Sequence, residues 1–570
     1  MVSIEIATLL VLMLSSVEGT EVINAVEVNT PSGWVRGYEE NYENKQLYRF
    51  VKIPFAKPPI GKLRFQKPQP IGEWEGVQGI SDVNSPSCPQ FDFPIPGFDN
   101  LEKDENCLFL NIYVPGKISK ERNLSVMVWI HGGGFVFGGA SQYKPQKLVV
   151  GGDVIVVTIN YRLALLGFFT LDDPLLSGNF GLLDQIEALR WVQKNIEAFG
   201  GNPNSVTIFG ESAGGMSVSL QTLIPSNKGL FQRAISQSGV TSIHIISKKE
   251  MEKKTAALLL EKTNCNDKGD VSETLKCLQE IPVENITYAF SMMDFRAALN
   301  TSYESGRFIP NVDGELIKEN IGYPKSFDDD IYSFFRSIDF MSGTLDGEGS
   351  MVYMGITPQM QEHYEFNITE KVPRAVLCEM YAPVFVETAF GNAPELTEEI
   401  CDFYTDKESI DAQSNKVCEF TGDSVFIVPS NKMLSIHAKN NQEAKTFQYL
   451  ITKKSPVPFG GDPPAWFKGV GHGDDVYLVF NLKELLPNGS ELDDENSLSV
   501  DVIKYWTNFA KFGNPNGDKV PQWPSYDDNN KRYVILDTPI TTGENLKSEA
   551  TALINKIIEK GRQQLIHDEL

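Results

Sequence analysis

The sequence predicts an α/β fold with a large central, mostly parallel sheet flanked by helices. Three observations carry that prediction. Val126–Ile130 (VMVWI), Val154–Ile159 (VIVVTI) and Ser205–Phe209 (SVTIF) are short apolar runs rich in β-branched residues, with no polar alternation. Strands buried on both faces of a parallel sheet read this way. Between the last two runs, Gly181–Ala198 carries Leu182, Leu183, Ile186, Leu189, Val192 and Ile196 at helical spacing. Strand, helix, strand in this order is a right-handed crossover unit. The composition agrees, since 41% of residues are hydrophobic and 22% charged, which is ordinary for a globular chain able to bury a large core.

The remaining elements follow in chain order. Ile6–Leu14 (IATLLVLML) is apolar and is followed by Val17 and Gly19, so residues 1–19 read as a secretory signal peptide cleaved after Gly19. Val26–Val35 and Lys45–Val51 carry short strand patterns broken by Gly and Pro. Residues 240–330 are more helical and polar. Phe340–Ser350 reads as a strand end followed by a Gly-rich loop, 360–450 as helical, and Gln448–Thr452 as a late strand. Ser548–Gln564 is an amphipathic helix with Ala552, Leu553, Ile554, Ile557 and Ile558 along one side. Pro54–Pro70, Ser85–Gly97 and Pro456–Pro464 read as surface loops. No stretch of about 20 apolar residues exists, so no transmembrane helix is expected. The chain ends in His567-Asp568-Glu569-Leu570, a receptor-read signal for retention in the endoplasmic reticulum lumen.

Charge and cysteine usage narrow the function classes. Lys plus Arg is 51 against 75 for Asp plus Glu, a net charge of −24. Such a chain repels phosphate backbones, and no long basic run offsets this, so nucleic acid is not an expected partner. No internal repeat appears. There are seven cysteines, an odd count. Spacing suggests Cys88–Cys107 and Cys265–Cys277 as local loops and Cys401–Cys418 as a third pair, leaving Cys378 free. Five glycosylation sequons begin at Asn123, Asn285, Asn300, Asn367 and Asn488.

The strongest local signal is Gly210-Glu211-Ser212-Ala213-Gly214, with a strand before it and a helix-compatible run (Met216–Leu223) after it. This is the G-x-S-x-G nucleophile elbow, where bulkier residues at the glycine positions would clash. His131-Gly132-Gly133-Gly134-Phe135 follows the strand ending at Ile130 and is the HGGG-type loop that supplies oxyanion donors in lipases and esterases. The donors would be the N–H groups of Gly133, Gly134 and Ala213. Serine needs a general base. Of the six histidines, His472 lies in a Gly-rich loop (Lys468–Asp475) and is the candidate, whereas His244, His363 and His437 sit in helical or mixed contexts. The acid lies between Ser and His in the α/β-hydrolase chain order. Asp346 and Glu348, in the Gly-rich loop after Phe340, both qualify.

These residues carry a resemblance. Phe199-Gly200-Gly201-Asn202-Pro203 running to Gly214, Glu105-Asn106-Cys107-Leu108-Phe109-Leu110-Asn111, and Tyr505-Trp506-Thr507-Asn508-Phe509-Ala510 with Gly513-Asn514-Pro515 resemble signatures of the type-B carboxylesterase and cholinesterase family. The resemblance spans about residues 25 to 540 and implies one α/β-hydrolase domain, taken here as 20–560, with a Ser–Glu–His triad. It departs at Asn106, where the family usually has Asp, and at Gly347, where an acid or polar residue is common. The family's acid is the Glu before a Gly, which favours Glu348 over Asp346. Cys88–Cys107 and Cys265–Cys277 match its first two disulfides, and Ser238 matches a serine behind the triad.

Within the family, absences discriminate. The loop Pro89–Asn106 holds Phe91, Phe93 and Phe98 but no Trp, so it lacks the tryptophan on which cholinesterases hold a quaternary ammonium. ER-retained carboxylesterases, broad in their lipid and foreign ester substrates, match best. Insect juvenile hormone esterases share Gly469-x-x-His472-x-x-Asp475 but usually carry Gln where this chain has Glu211, so a juvenile-hormone-type esterase is one alternative. A non-catalytic or slow ester-sequestering lumenal binder is another. The expected reaction is acyl transfer: Ser212 attacks an ester carbonyl, His472 takes its proton, Glu348 steadies the ring, and water hydrolyses the acyl-enzyme. Neither metal nor cofactor is expected. The expected partners are small-molecule esters and the retention receptor.

Overall fold

The computed structural model describes residues 25–79, 85–91, 101–247, 249–266, 269–292, 308–318, 330–441, 443–456, 458–480 and 493–568. The expected signal peptide, Phe93, Phe98, the sequons at Asn300 and Asn488, and the terminal Glu569 and Leu570 lie outside them.

The described strands form one sheet. They are β1 (Ala25–Thr30), β2 (Gly33–Tyr42), β3 (Lys45–Pro54), β4 (Val77–Gln78), β5 (Phe109–Pro115), β6 (Leu124–Ile130), β7 (Ile155–Ile159), β8 (Gly201–Glu211), β9 (Arg233–Gln237), β10 (Asp339–Leu345), β11 (Thr446–Ile451), β12 (Arg532–Leu536) and β13 (Thr541–Glu544). The order is β1-β2-β3-β5-β7-β6-β8-β9-β10-β11-β12-β13, with β4 paired to β2. From β7 to β12 every neighbouring pair is parallel. Antiparallel strands finish both ends. The strand pattern over Val26–Val35, broken by Pro31 and Gly33, is a hairpin: the chain turns at Pro31-Ser32 and pairs Thr30 with Gly33.

The apolar runs lack alternation because each strand buries both faces. In β6, Val126, Val128 and Ile130 point into one core, and Met127 and Trp129 into another. Helices α1 (Phe180–Asn195) and α2 (Ala213–Thr222) cover the first face, using Leu182, Leu189, Val192, Val218 and Leu220. Helix α3 (Asp493–Phe512) covers the second with Val502, Tyr505, Trp506 and Phe509. This fold places the loops after β8, β10 and β11 at the carboxyl ends of parallel strands, where open α/β sheets bind ligands.

Three disulfides are present among the described residues: Cys88–Cys107, Cys265–Cys277 and Cys378–Cys401. The expected Cys401–Cys418 pair is therefore corrected. Cys378 stands with its Cα 5.5 Å from that of Cys401, while Cys418 is a buried free thiol. Sequence separation misled here, because helix packing decides which cysteines meet. The described part of the expected surface loop Ser85–Gly97 also differs. Residues 85–90 are buried, and the Gln90 side chain is bonded to both the N–H and the carbonyl of Gly138 at 2.8 Å. The C-terminal helix runs over Ser548–Asp568, so the first two residues of the retention tetrapeptide continue it. Asn123, Asn285 and Asn367 are exposed. No helix among the described residues is long and apolar enough to cross a membrane.

Candidate active site

Ser212 sits between β8 and α2, with φ 57° and ψ −125°. Its amide donates to the Gln237 carbonyl at 2.9 Å. Side chains flanking this turn have no room. A Cβ on Gly210 would lie 2.5 Å from the Ile130 carbonyl oxygen, and one on Gly214 would lie 2.0 Å from it. The two glycines of the elbow are therefore required by the neighbouring strand β6, which is hydrogen-bonded to β8.

The triple-glycine loop presses on the same serine. A Cβ on Gly132 would stand 2.7 Å from the Glu211 carbonyl oxygen and 3.2 Å from the Ser212 Cβ. Gly133 and Gly134 have φ +102° and +61°, conformations that L side chains avoid. Gly134, Ser212 and Ala213 together line one cavity. His131 is buried, stacked on Tyr161 at 4.4 Å, and held by burial down at about 4. It is a neutral structural residue of this loop.

His472 lies in the loop after β11. Its Nε2 is 2.8 Å from the Ser212 Oγ, and its Nδ1 is 2.6 Å from the Glu348 Oε2. Its backbone N–H donates to the Ser350 Oγ at 2.8 Å. The other Glu348 oxygen accepts the Leu345 N–H at 2.9 Å. Both side chains are buried. Of the two acids left open by the sequence, Glu348 reaches the imidazole. Asp346 instead accepts the Val470 N–H at 2.7 Å and ties down the histidine loop. Gly347 is explained by contact, because a Cβ there would stand 2.6 Å from the Val470 carbonyl oxygen.

Ser238 and the histidines other than His472 lie in different surroundings. Ser238 is buried with φ 47°, and its amide donates to the Gly343 carbonyl at 2.9 Å. Its hydroxyl has no hydrogen-bond partner among the described residues. His437 is buried between Thr446 and the Ile338 carbonyl. His363 is exposed. His244, expected to be structural or on the surface, lines the cavity.

Several residues that matter here were given no role in the site by the sequence. The Glu211 Oε1 lies 3.4 Å from the His472 Nε2. Burial pushes Glu211 up to about 8. Burial works against a charged His472, but the Glu211 and Glu348 carboxylates outweigh it and raise the imidazole above its ordinary value. Asp475 accepts the Gln237 Nε2–H at 2.7 Å, and the Trp506 Nε1 donates to the Gln237 Oε1 at 3.0 Å. Gln237 carries the carbonyl that holds the Ser212 amide, so two quoted motifs, around Asp475 and Trp506, converge on the elbow. Glu105 of another motif is structural, because it takes the Arg64 Nη2 at 2.7 Å.

The cavity beside Ser212 has a volume of about 230 Å³. Phe135, Met216, Val384, Phe385, Phe420 and Phe426 are part of its apolar wall, with Thr388, Thr421 and Ser424 as polar points. No carboxylate, ammonium or guanidinium side chain lines it among the described residues. No set of three His, Cys, Asp or Glu side chains among them is grouped to hold a metal ion. A half-buried serine in line with a buried imidazole and carboxylate, beside an apolar cavity, is suited to acyl transfer from a neutral, apolar substrate.

A family model described as the carboxylesterase family matches residues 24–554. The chain belongs to the carboxylesterase family. With that membership it is a carboxylic ester hydrolase. It is 35% identical to a liver carboxylesterase of Sus scrofa over 94% of this chain and 93% of the relative. It is 33% identical to carboxylesterase 1C of Mus musculus, with coverage of 94% and 93%. It is 34% identical to the pyrethroid hydrolase Ces2a of Mus musculus, with coverage of 98% and 95%. The sheet described above is that of the α/β-hydrolase fold expected for this family.

Proposed function

We propose that the protein hydrolyses neutral carboxylic esters through an acyl-enzyme, with Ser212 as nucleophile, His472 as general base and Glu348 as the acid that orients it. The single observation that supports this reading is the continuous hydrogen-bonded line from the Ser212 Oγ through both imidazole nitrogens to the Glu348 Oε2. Glu348, by accepting from Nδ1–H, leaves Nε2 with its lone pair toward Ser212. As the serine oxygen bonds the carbonyl carbon, its proton passes to Nε2 and the carbonyl oxygen gains negative charge. The amides of Gly133, Gly134 and Ala213 are the proposed donors to that oxygen. His472 then protonates the leaving alcohol, and water repeats the sequence to release the acid.

The apolar cavity supports lipid-like or foreign esters of broad type. The names of two relatives point the same way: a pyrethroid hydrolase, and a fatty acyl-CoA hydrolase of Anas platyrhynchos. The address belongs to the same proposal: a signal peptide over residues 1–19, a hydrolase domain over 20–560 and HDEL retention in the ER lumen by its receptor. The three disulfides and the exposed sequons at Asn123, Asn285 and Asn367 fit a lumenal protein.

Burst kinetics with p-nitrophenyl acetate and butyrate, beside Ser212→Ala, test the mechanism. A burst followed by turnover, both lost in the variant, is the expected result. Full hydrolysis by Ser212→Ala would remove the assignment.

A further inference from the structure

Helix α4 (Ile410–Gly422) does not pass straight into helix α5 (Val428–Ala438). A π-helical turn over Asp423–Ile427 joins them. Such turns insert one residue and re-aim the side chains that follow. Here the inserted turn carries Phe426, whose ring centre lies 4.5 Å from that of His472 with the planes 36° apart. Phe426 is buried and also lines the cavity. The turn is fixed at its start, where the buried Asp423 accepts the Tyr404 hydroxyl at 2.9 Å and faces the Lys547 Nζ at 3.8 Å.

The same helix backs the acid. A Cβ on Gly349 would stand 1.8 Å from the Cys418 carbonyl oxygen, so Gly349 packs directly on α4. A Cβ on Gly422 would meet the Glu348 Cβ at 3.3 Å. One helix and its π-turn therefore touch both the acid and the base of the proposed triad. Sequence gives no sign of this, because a π-turn has no motif and Phe426 lies far from His472 along the chain.

We infer that Phe426, delivered by the π-turn Asp423–Ile427, is a positioning residue for His472. Its ring face prevents the imidazole from swinging away from Ser212 and favours the imidazolium formed when the serine proton is transferred. The physical basis is the aromatic quadrupole, which attracts a cation held over the ring face. The inference rests on the proposed triad. The groups facing His472 from the other elements are Glu211 at the end of β8, Glu348 after β10, and Asp474 and Asp475 on its own loop. None is replaced in the test.

The test compares Phe426→Leu, which removes the ring face, with Phe426→Tyr, which keeps it. Phe426→Met, matched more closely in volume, repeats the comparison if the leucine variant does not fold. The expected result is a kcat about tenfold lower in Phe426→Leu, a KM within about twofold for p-nitrophenyl acetate, and recovery in Phe426→Tyr. The pKa of the imidazole, read by carbon NMR of labelled histidine and assigned by loss of the signal in His472→Gln, should fall by about half a unit to one unit in Phe426→Leu. A raised KM with kcat and the histidine pKa unchanged would overturn the inference and leave Phe426 as cavity wall. The NMR reading needs no turnover, so it separates failure of this inference from failure of the esterase reading.

Discussion

Replacing Glu348 with Gln tests the geometry of the site most severely. The substitution keeps shape and volume, so the fold should survive. What changes follows from two hydrogen bonds. Oε1 of Glu348 accepts the Leu345 N–H at 2.9 Å, and Oε2 accepts from the His472 Nδ1 at 2.6 Å. An amide at this position has one acceptor and one donor end. The Leu345 N–H requires the acceptor, so the NH2 end must face Nδ1. The imidazole then has to place its own proton on Nε2, which faces Ser212, and no longer can accept the serine proton. The nucleophile loses its base, although every atom stays nearly in place. An error of this kind in a serine hydrolase costs about 10⁴ in kcat, or roughly 5.5 kcal/mol at 1.36 kcal/mol per tenfold. The assay is kcat for p-nitrophenyl butyrate, with the melting temperature as a control on folding. Asp346→Asn is the companion variant. Asp346 accepts the Val470 N–H, a role that an amide oxygen can keep, so kcat should stay within about tenfold. A Glu348→Gln enzyme within tenfold of the parent, or an Asp346→Asn enzyme as damaged as Glu348→Gln, would refute the reasoning.

Three further outcomes are expected. In Gly133→Ala the new Cβ would stand 2.1 Å from the Phe137 carbonyl oxygen at a φ of +102°, so the loop must shift, and kcat should fall by about 10² or more; unchanged kcat would mean its amide is not a donor. Burial raises Asp423 from 3.8 to about 6 in the folded protein, so the folded state holds that proton more tightly than the unfolded chain. The resulting stability is complete below about pH 4 and is lost as pH rises through 6, a change of at most roughly 3 kcal/mol. Asn does not titrate, so the stability of Asp423→Asn relative to the parent should rise between pH 4 and pH 7 in urea unfolding; a difference independent of pH would contradict the buried carboxyl. Non-reducing peptide mapping should recover Cys378 joined to Cys401, with the Cys418 thiol alkylated only after unfolding; a Cys401–Cys418 peptide would overturn the pairing.

The sequence alone determined the parts of this protein that obey local rules. Apolar runs without alternation marked the buried parallel strands, because such strands have no solvent face. Glycines at 132–134, 210 and 214 marked the elbow and the loop beside it, because close approach of backbones excludes a Cβ at 132, 133, 210 and 214 and Gly134 has a φ of +61°. Ser212 and His472 were legible for the same reason, each lying in a local pattern. The choice of Glu348 over Asp346 came from family resemblance, since both acids lie in one Gly-rich loop. Only the tertiary structure decided the rest. Which carboxylate reaches the imidazole depends on the bridge between Gly347 and Gly471, two loops that meet after separate strands. Whether Glu211 is charged depends on burial among Asp474, Asp475 and Glu348. Which cysteine pairs with Cys401, and that Phe426 faces His472, depend on how helices late in the chain pack. Those contacts join residues distant in sequence, and no local spacing encodes them.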